Sequence, residues 1–237
     1  MTSPPTAAWT GQSDGDISAR WLEIISSRLT TSTVGHPLMV YESVGSTNDV
    51  ARELAAKGAP DGTTILAVAQ SSGRGRRGRS WFSTPECGVF LSVVLRPAMK
   101  STDVGWLAVL GGVAVERALE RIGVRDLTLK WPNDVLCRGR KLAGVLVEPR
   151  LSHDGVDFAV LGVGANISHT PDTWSEALKE TATSCLMEGV RTDPPLVTVA
   201  LLEEIERFYH VLRRSDFALL EAAWERTGGQ FEMPRLD

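Results

Sequence analysis

The sequence predicts an α+β fold, a mixed β-sheet flanked by helices. Apolar runs of strand length recur between turn residues, stretches of helical spacing alternate with some of them, and no internal repeat or long linker divides the 237 residues. At 43% hydrophobic and 23% charged, the chain suits one domain with a core large enough to bury a ligand.

Residues 1–15, rich in Pro, Thr, Ser, Gly and Asp, are expected to be a disordered tail. After Asp16, a suitable N-cap, Ile17, Trp21, Ile24, Ile25 and Leu29 fall near helical spacing and predict a short amphipathic helix. LMVYES (38–43) reads as a strand, and STNDVARELAAKG (46–58) as a helix capped by Ser46 or Thr47 and stopped by Gly58. TTILAVAQ (63–70) is the next strand, GRGRRGR (73–79) a loop, VFLSVVLRP (89–97) a buried strand ended by Pro97, and a long helix runs over roughly 103–121. DLTLKW, VLC and KLAGVLVE read as strands separated by the turns PND and RGR, and VDFAVLGVG adds another. Helices around 195–214 and 217–226 close the domain, taken as residues 16–230, with 231–237 a short tail.

A net charge of −4 argues against a surface built mainly for long polyanions. Cys87, Cys137 and Cys185 are odd in number and contain no C-x-x-C, so neither a disulfide framework nor a zinc site is indicated. His36, His153, His169 and His210 lie far apart and read as surface or loop residues, so no protein-held metal is expected. The N-terminus lacks the layout of a signal peptide and the longest apolar run, 106–115, is too short to span a bilayer, so a soluble cytoplasmic protein without membrane contact is expected.

The loop at 73–79 puts four arginines and three glycines in seven positions. Gly73, Gly75 and Gly78 satisfy G-x-G-x-x-G, and Gly73–Ser80 nearly satisfies the P-loop pattern. Both motifs need a helix starting at their end, whereas SWFSTPECG follows here, with Pro85 and Gly88 where the first turns belong. The residues leave three readings open: a flexible clamp closing over a phosphorylated ligand, a solvated basic loop, or a nucleic-acid patch. KWPND (130–134) places Lys130 at a strand end and Asn133 and Asp134 on a turn, and a hairpin would bring Asp134 beside Lys141. That pair reads as an ordinary salt bridge or as part of a site. Gly144, Gly162 and Gly164 stand inside strands, which a flat or bulky ligand over the sheet would explain.

GRGRRGR, KWPND, KLAGVLVE and GVGAN, in that order, with STN at 46–48 and Gln70 upstream, resemble the catalytic domain of biotin protein ligases over roughly residues 38–226. The resemblance implies a fold of the class II aminoacyl-tRNA synthetase and biotin–lipoate ligase kind. It also implies a two-step reaction. Biotin and ATP, with Mg2+ carried by the nucleotide, give biotinyl-5′-AMP and pyrophosphate, and a lysine on the biotin carrier domain of a carboxylase then takes the biotinyl group. It implies biotin contacts from Ser46, Thr47, Asn48, Gln70, Gly73, Arg74, Arg76, Lys141, Gly144 and Gly162. ATP or adenylate contacts would come from Arg76, Arg77, Arg79, Trp81, Lys130, Asn133 and Asn166, although a lone Trp after a loop more often serves a core. Arg74, Arg76 and Lys141 would stabilise charge on the α-phosphate, and Asp134 would accept the proton of the incoming lysine.

The family's repressor members carry an N-terminal winged helix. Fewer than 40 residues precede the first strand here, so DNA binding is not expected. The family's C-terminal barrel is also expected to be absent, which would weaken nucleotide use and transfer. Ala98, Met99 and Lys100 echo a biotin acceptor site but read as a loop. An exposed edge strand would allow a weakly held homodimer. The competing readings are a lipoate ligase or octanoyl transferase of the same fold, a non-catalytic biotin binder, and a nucleic-acid-binding module using the arginine loop.

Overall fold

The computed structural model describes residues 16–228. The tails expected at 1–15 and 231–237 lie outside the described residues. Seven strands form one mixed sheet in the order β1-β2-β3-β7-β6-β5-β4. They are β1 Leu38–Val44, β2 Thr64–Gln70, β3 Gly88–Leu95, β4 Leu127–Lys130, β5 Asp134–Cys137, β6 Arg140–Ser152 and β7 Gly155–Asn166. β1 and β2 are parallel and every other pair is antiparallel. The helices are α1 Ile17–Ser26, α2 Thr47–Ala56, α3 Trp106–Arg121, α4 Glu176–Lys179, α5 Pro194–Arg213 and α6 Phe217–Glu225.

The predicted elements are present, with local differences. Asp16 caps α1 by accepting from the Ala19 amide, as expected. α2 starts after Ser46, whose side chain makes no capping hydrogen bond. α3 begins at Trp106 rather than near 103, because a separate 3-10 turn occupies Ser101–Asp103. No helix follows the arginine loop and the next strand is β3. The β5–β6 turn is Arg138–Gly139 with φ of 49° and 78°, both positive as the tight hairpin turn requires.

Period two decides which face each residue serves. Leu91, Val93 and Leu95 of β3 and Leu161, Val163 and Ala165 of β7 join α1, α3, α5 and α6 in the main core. Val94, Phe158 and Val160 on the opposite face meet Ala51 and Ala55 of α2 in a smaller cluster. Along that second face α2 covers one part of the sheet. The glycines Gly144, Gly162 and Gly164 lie on the remainder, where a cleft forms.

Candidate active site

The cleft has a volume of about 880 Å3. It gathers residues that the chain separates by more than a hundred positions: Ser46, Thr47 and Asn48 from the start of α2, Gln70 from the end of β2, Gly73, Arg74, Arg76 and Arg79 from the loop, then Trp81. Lys130, Asn133, Asp134, Lys141, Gly144, Gly162 and Asn166 complete the set. Arg77 is the one predicted site residue absent from the lining. It is exposed, with φ of 56°, and turns the loop.

The polar end is built at the N-terminus of α2. The first helical amide, Thr47 N–H, has no intrahelical acceptor and donates to Gln70 Oε1 at 2.9 Å. Gln70 Nε2 donates to Ser83 Oγ at 3.1 Å, which fixes the orientation of its amide. Asn48 donates from Nδ2 to Glu148 Oε2 at 2.7 Å, and Ser92 Oγ lies 2.6 Å from Asn48 Oδ1 and 2.8 Å from Thr47 Oγ1.

The arginine loop is tethered by acidic side chains. Arg74 donates to Asp49 at 2.8 Å and to Glu148 at 3.2 Å. Burial opposes its charge, but the hydrogen bond to Asp49 and the charge of Glu148 outweigh it and hold the guanidinium above its ordinary pKa. Gly75 N–H donates to Arg79 C=O at 2.7 Å, and Trp81 N–H to Gly73 C=O at 2.9 Å, closing the loop on itself.

Trp81 then lies on the sheet. A Cβ at Gly164 would stand 2.4 Å from Trp81 Cε2, and one at Gly144 3.1 Å from Trp81 Cζ3. A Cβ at Gly162 would stand 2.1 Å from Asn48 Oδ1. The close approach that the sequence assigned to a ligand is therefore made by the chain's own side chains. The indole Nε1 of Trp81 is buried and makes no hydrogen bond within the described residues.

Lys141 Nζ lies 2.7 Å from Asp134 Oδ1, as the hairpin predicts, and 5.2 Å from the Trp81 ring centroid. The Asp134 contact is an ion pair rather than an aligned hydrogen bond. A bulge between Val135 and Leu136 offsets the β5–β6 register. The Lys141 backbone is gripped on both sides, its N–H donating to Thr181 C=O at 2.8 Å and its C=O accepting from Thr183 N–H at 2.9 Å. Asn166 Nδ2 donates to Thr183 C=O at 3.0 Å, so its amide braces this segment from the cleft wall. Asn133 is likewise tied to Val145 C=O at 2.7 Å.

The stretch that supplies Trp174, Leu178, Glu180, Thr181 and Ala182 to the cleft escaped the sequence reading. It contains only a 3-10 turn and the four-residue α4, with no periodic signal. His169, expected at the surface or in a loop, is in a loop but fully buried, stacked on Trp174 with centroids 5.6 Å apart. Among the described residues no group of three or more His, Cys, Asp or Glu side chains could hold a metal ion, and no helix is long and apolar enough to cross a membrane.

The model of the biotin/lipoate A/B protein ligase family matches residues 40–166. The chain is 33% identical over 198 residues to the bifunctional ligase/repressor BirA of Bacillus subtilis, covering 83% of this chain and 61% of that one. It is 39% identical over 175 residues to the biotin–[acetyl-CoA-carboxylase] ligase of Mycobacterium tuberculosis, covering 71% and 62%. The chain thus spans about three fifths of the length of these two relatives. The biotin protein ligase of Aquifex aeolicus, solved in complex with biotin and ATP, superposes with a TM-score of 0.69 at 30% identity, covering 80% of this chain and 77% of that one.

Proposed function

The chain belongs to the biotin/lipoate A/B protein ligase family, and from that premise we propose that it is a biotin protein ligase. It joins biotin to ATP as biotinyl-5′-AMP and passes the biotinyl group to a lysine of a carboxylase's biotin carrier domain. One observation carries this reading. A single cleft holds an uncharged hydrogen-bonding end at Thr47 and Gln70, an arginine loop, and Lys141 beside Asp134.

The chemistry needs that combination. Biotin's carboxylate and the ATP phosphates repel each other, so cations must gather both before the carboxylate oxygen attacks the α-phosphorus and pyrophosphate leaves. Lys141, Arg74 and Arg76 supply the positive charge, and Asp134, 2.7 Å from the Lys141 ammonium, keeps it at the cleft. Magnesium arrives with the nucleotide as part of the substrate. Ser46, Thr47, Asn48 and Gln70 take the ring end of biotin, and Gly73, Gly144 and Gly162 belong to the same lining, the last two kept small for the side chains of Trp81 and Asn48. Arg79, Trp81, Lys130, Asn133 and Asn166, which also line the cleft, are assigned to the nucleotide. In the second step the carrier lysine attacks the acyl carbon, AMP leaves, and Asp134 takes the lysine's proton.

The test is transfer. With biotin, Mg-ATP and a biotin carrier domain, mass spectrometry should show one biotinyl group gained on the carrier. A carrier left unchanged by biotin but modified by lipoate or octanoate would replace this reading with that of the family's other acids.

A further inference from the structure

We infer that a hydrogen-bond chain behind the cleft, running from the half-buried Glu148 through the buried Asn48 and Ser92 to Thr47, fixes Thr47 Oγ1 as an acceptor. Ser92 and Glu148 are then positioning residues that select a ligand presenting an N–H, such as the cyclic urea of biotin. The inference rests on the proposed function and goes beyond it, because neither Ser92 nor Glu148 lines the cleft.

The direction of each bond follows from the chemistry of its partners. The Glu148 carboxylate, itself in contact with Arg74, can only accept, so the 2.7 Å bond must come from Asn48 Nδ2. That leaves Asn48 Oδ1 facing Ser92 Oγ at 2.6 Å, and an amide oxygen can only accept, so the Ser92 proton points to Asn48. Ser92 has one proton. Its oxygen must therefore accept at Thr47 Oγ1, 2.8 Å away, and the Thr47 proton points into the sheet.

The rival acceptor for that proton, Gln70 Oε1, is farther at 3.2 Å and already receives the Thr47 amide. Ser92, at 0% exposure, lies outside the cleft lining, so at the turning point of the chain solvent offers no competing partner that would reverse it. Gly162 makes room for the Asn48 carboxamide and thereby for the chain itself.

At the cleft, Thr47 Oγ1 is left with lone pairs, while the second Nε2 hydrogen of Gln70 is a donor, the first being used on Ser83. An acceptor beside a donor matches adjacent N–H and C=O groups of a cyclic urea. A dithiolane or an alkyl chain has neither group, and leaving both protein atoms unpaired in a buried site is costly.

Calorimetry on the full chain tests this with biotin and the two cyclic carbamates in which one or the other ureido N–H is replaced by a ring oxygen. The wild type should bind one of the two carbamates at least ~30-fold more weakly than biotin. Ser92→Ala should bind biotin about tenfold more weakly and lose most of that discrimination, and Ser92→Thr, which keeps the hydroxyl, should retain it. Unchanged discrimination in a Ser92→Ala protein of wild-type melting temperature would overturn the inference. So would equal binding of biotin and both carbamates by the wild type, a result that needs no variant to fold. If the wild type binds no biotin, the proposed function falls and the inference with it.

Discussion

At the scale of single residues, Lys141 and Asp134 touch at 2.7 Å but are assigned to different steps. In the proposed reaction Lys141 acts on the phosphate and Asp134 on the second step. Lys141→Ala should lower the rate of adenylate formation by roughly 100-fold. Asp134→Asn should spare adenylation and slow transfer from isolated biotinyl-AMP by about the same factor. Single-turnover kinetics of each half-reaction measures both, and equal losses in both steps for Asp134→Asn would place that residue in adenylation instead. The glycines give a second prediction. Gly162→Ala puts a methyl group 2.1 Å from Asn48 Oδ1, so the variant should lose about 1–3 kcal/mol of stability in urea titration and bind biotin more weakly. The sequence showed that something approaches these glycines closely. It could not show what, because Asn48 and Trp81 reach them from segments 114 and 83 positions upstream of Gly162 and Gly164.

At the scale of elements, the connection between α1 and β1 is pinned to α5 by two carboxylates, Glu203 accepting from Thr30 Oγ1 at 2.7 Å and Glu206 holding the backbone. Glu206 accepts from the backbone amides of Ser32, Thr33 and Val34 at 2.7–2.8 Å. Burial opposes its charge, but those amides outweigh it and hold its carboxyl below the ordinary range. Glu206→Ala should therefore cost about 2 kcal/mol and lower the melting temperature by roughly 4–8 °C. His169 makes stability depend on pH above the carboxylate range. Burial pushes its pKa down to about 4, so the folded chain binds the proton less readily than the unfolded chain, whose histidine titrates near 6.5. Its contribution is intact above that value and is lost as pH falls from about 6.5 toward 4. His169→Phe should flatten that part of a stability-against-pH curve, and a curve unchanged by the substitution would count against the assignment. Long periodic elements such as α5 and the β5–β6 hairpin were legible in the sequence. The bracing segment at 181–183 was not, because its order comes from backbone bonds to Lys141 and Asn166 rather than from any pattern of its own.

At the scale of the whole molecule, the sheet divides the work. One face carries the main core under α1, α3, α5 and α6, and the other carries α2 and the cleft. The strand alternation that writes this division is visible in VFLSVVL, where the apolar run is interrupted at Ser92 on the cleft side. What the sequence held only as separate motifs, the crossing of β3, β7 and β6 brings into one volume. In the proposed function this volume activates biotin with ATP, and the most direct measurement is exchange of labelled pyrophosphate into ATP with biotin, lipoate or octanoate as the acid. Exchange is expected with biotin alone, and exchange with lipoate or octanoate, or with no acid at all, would contradict the proposed function.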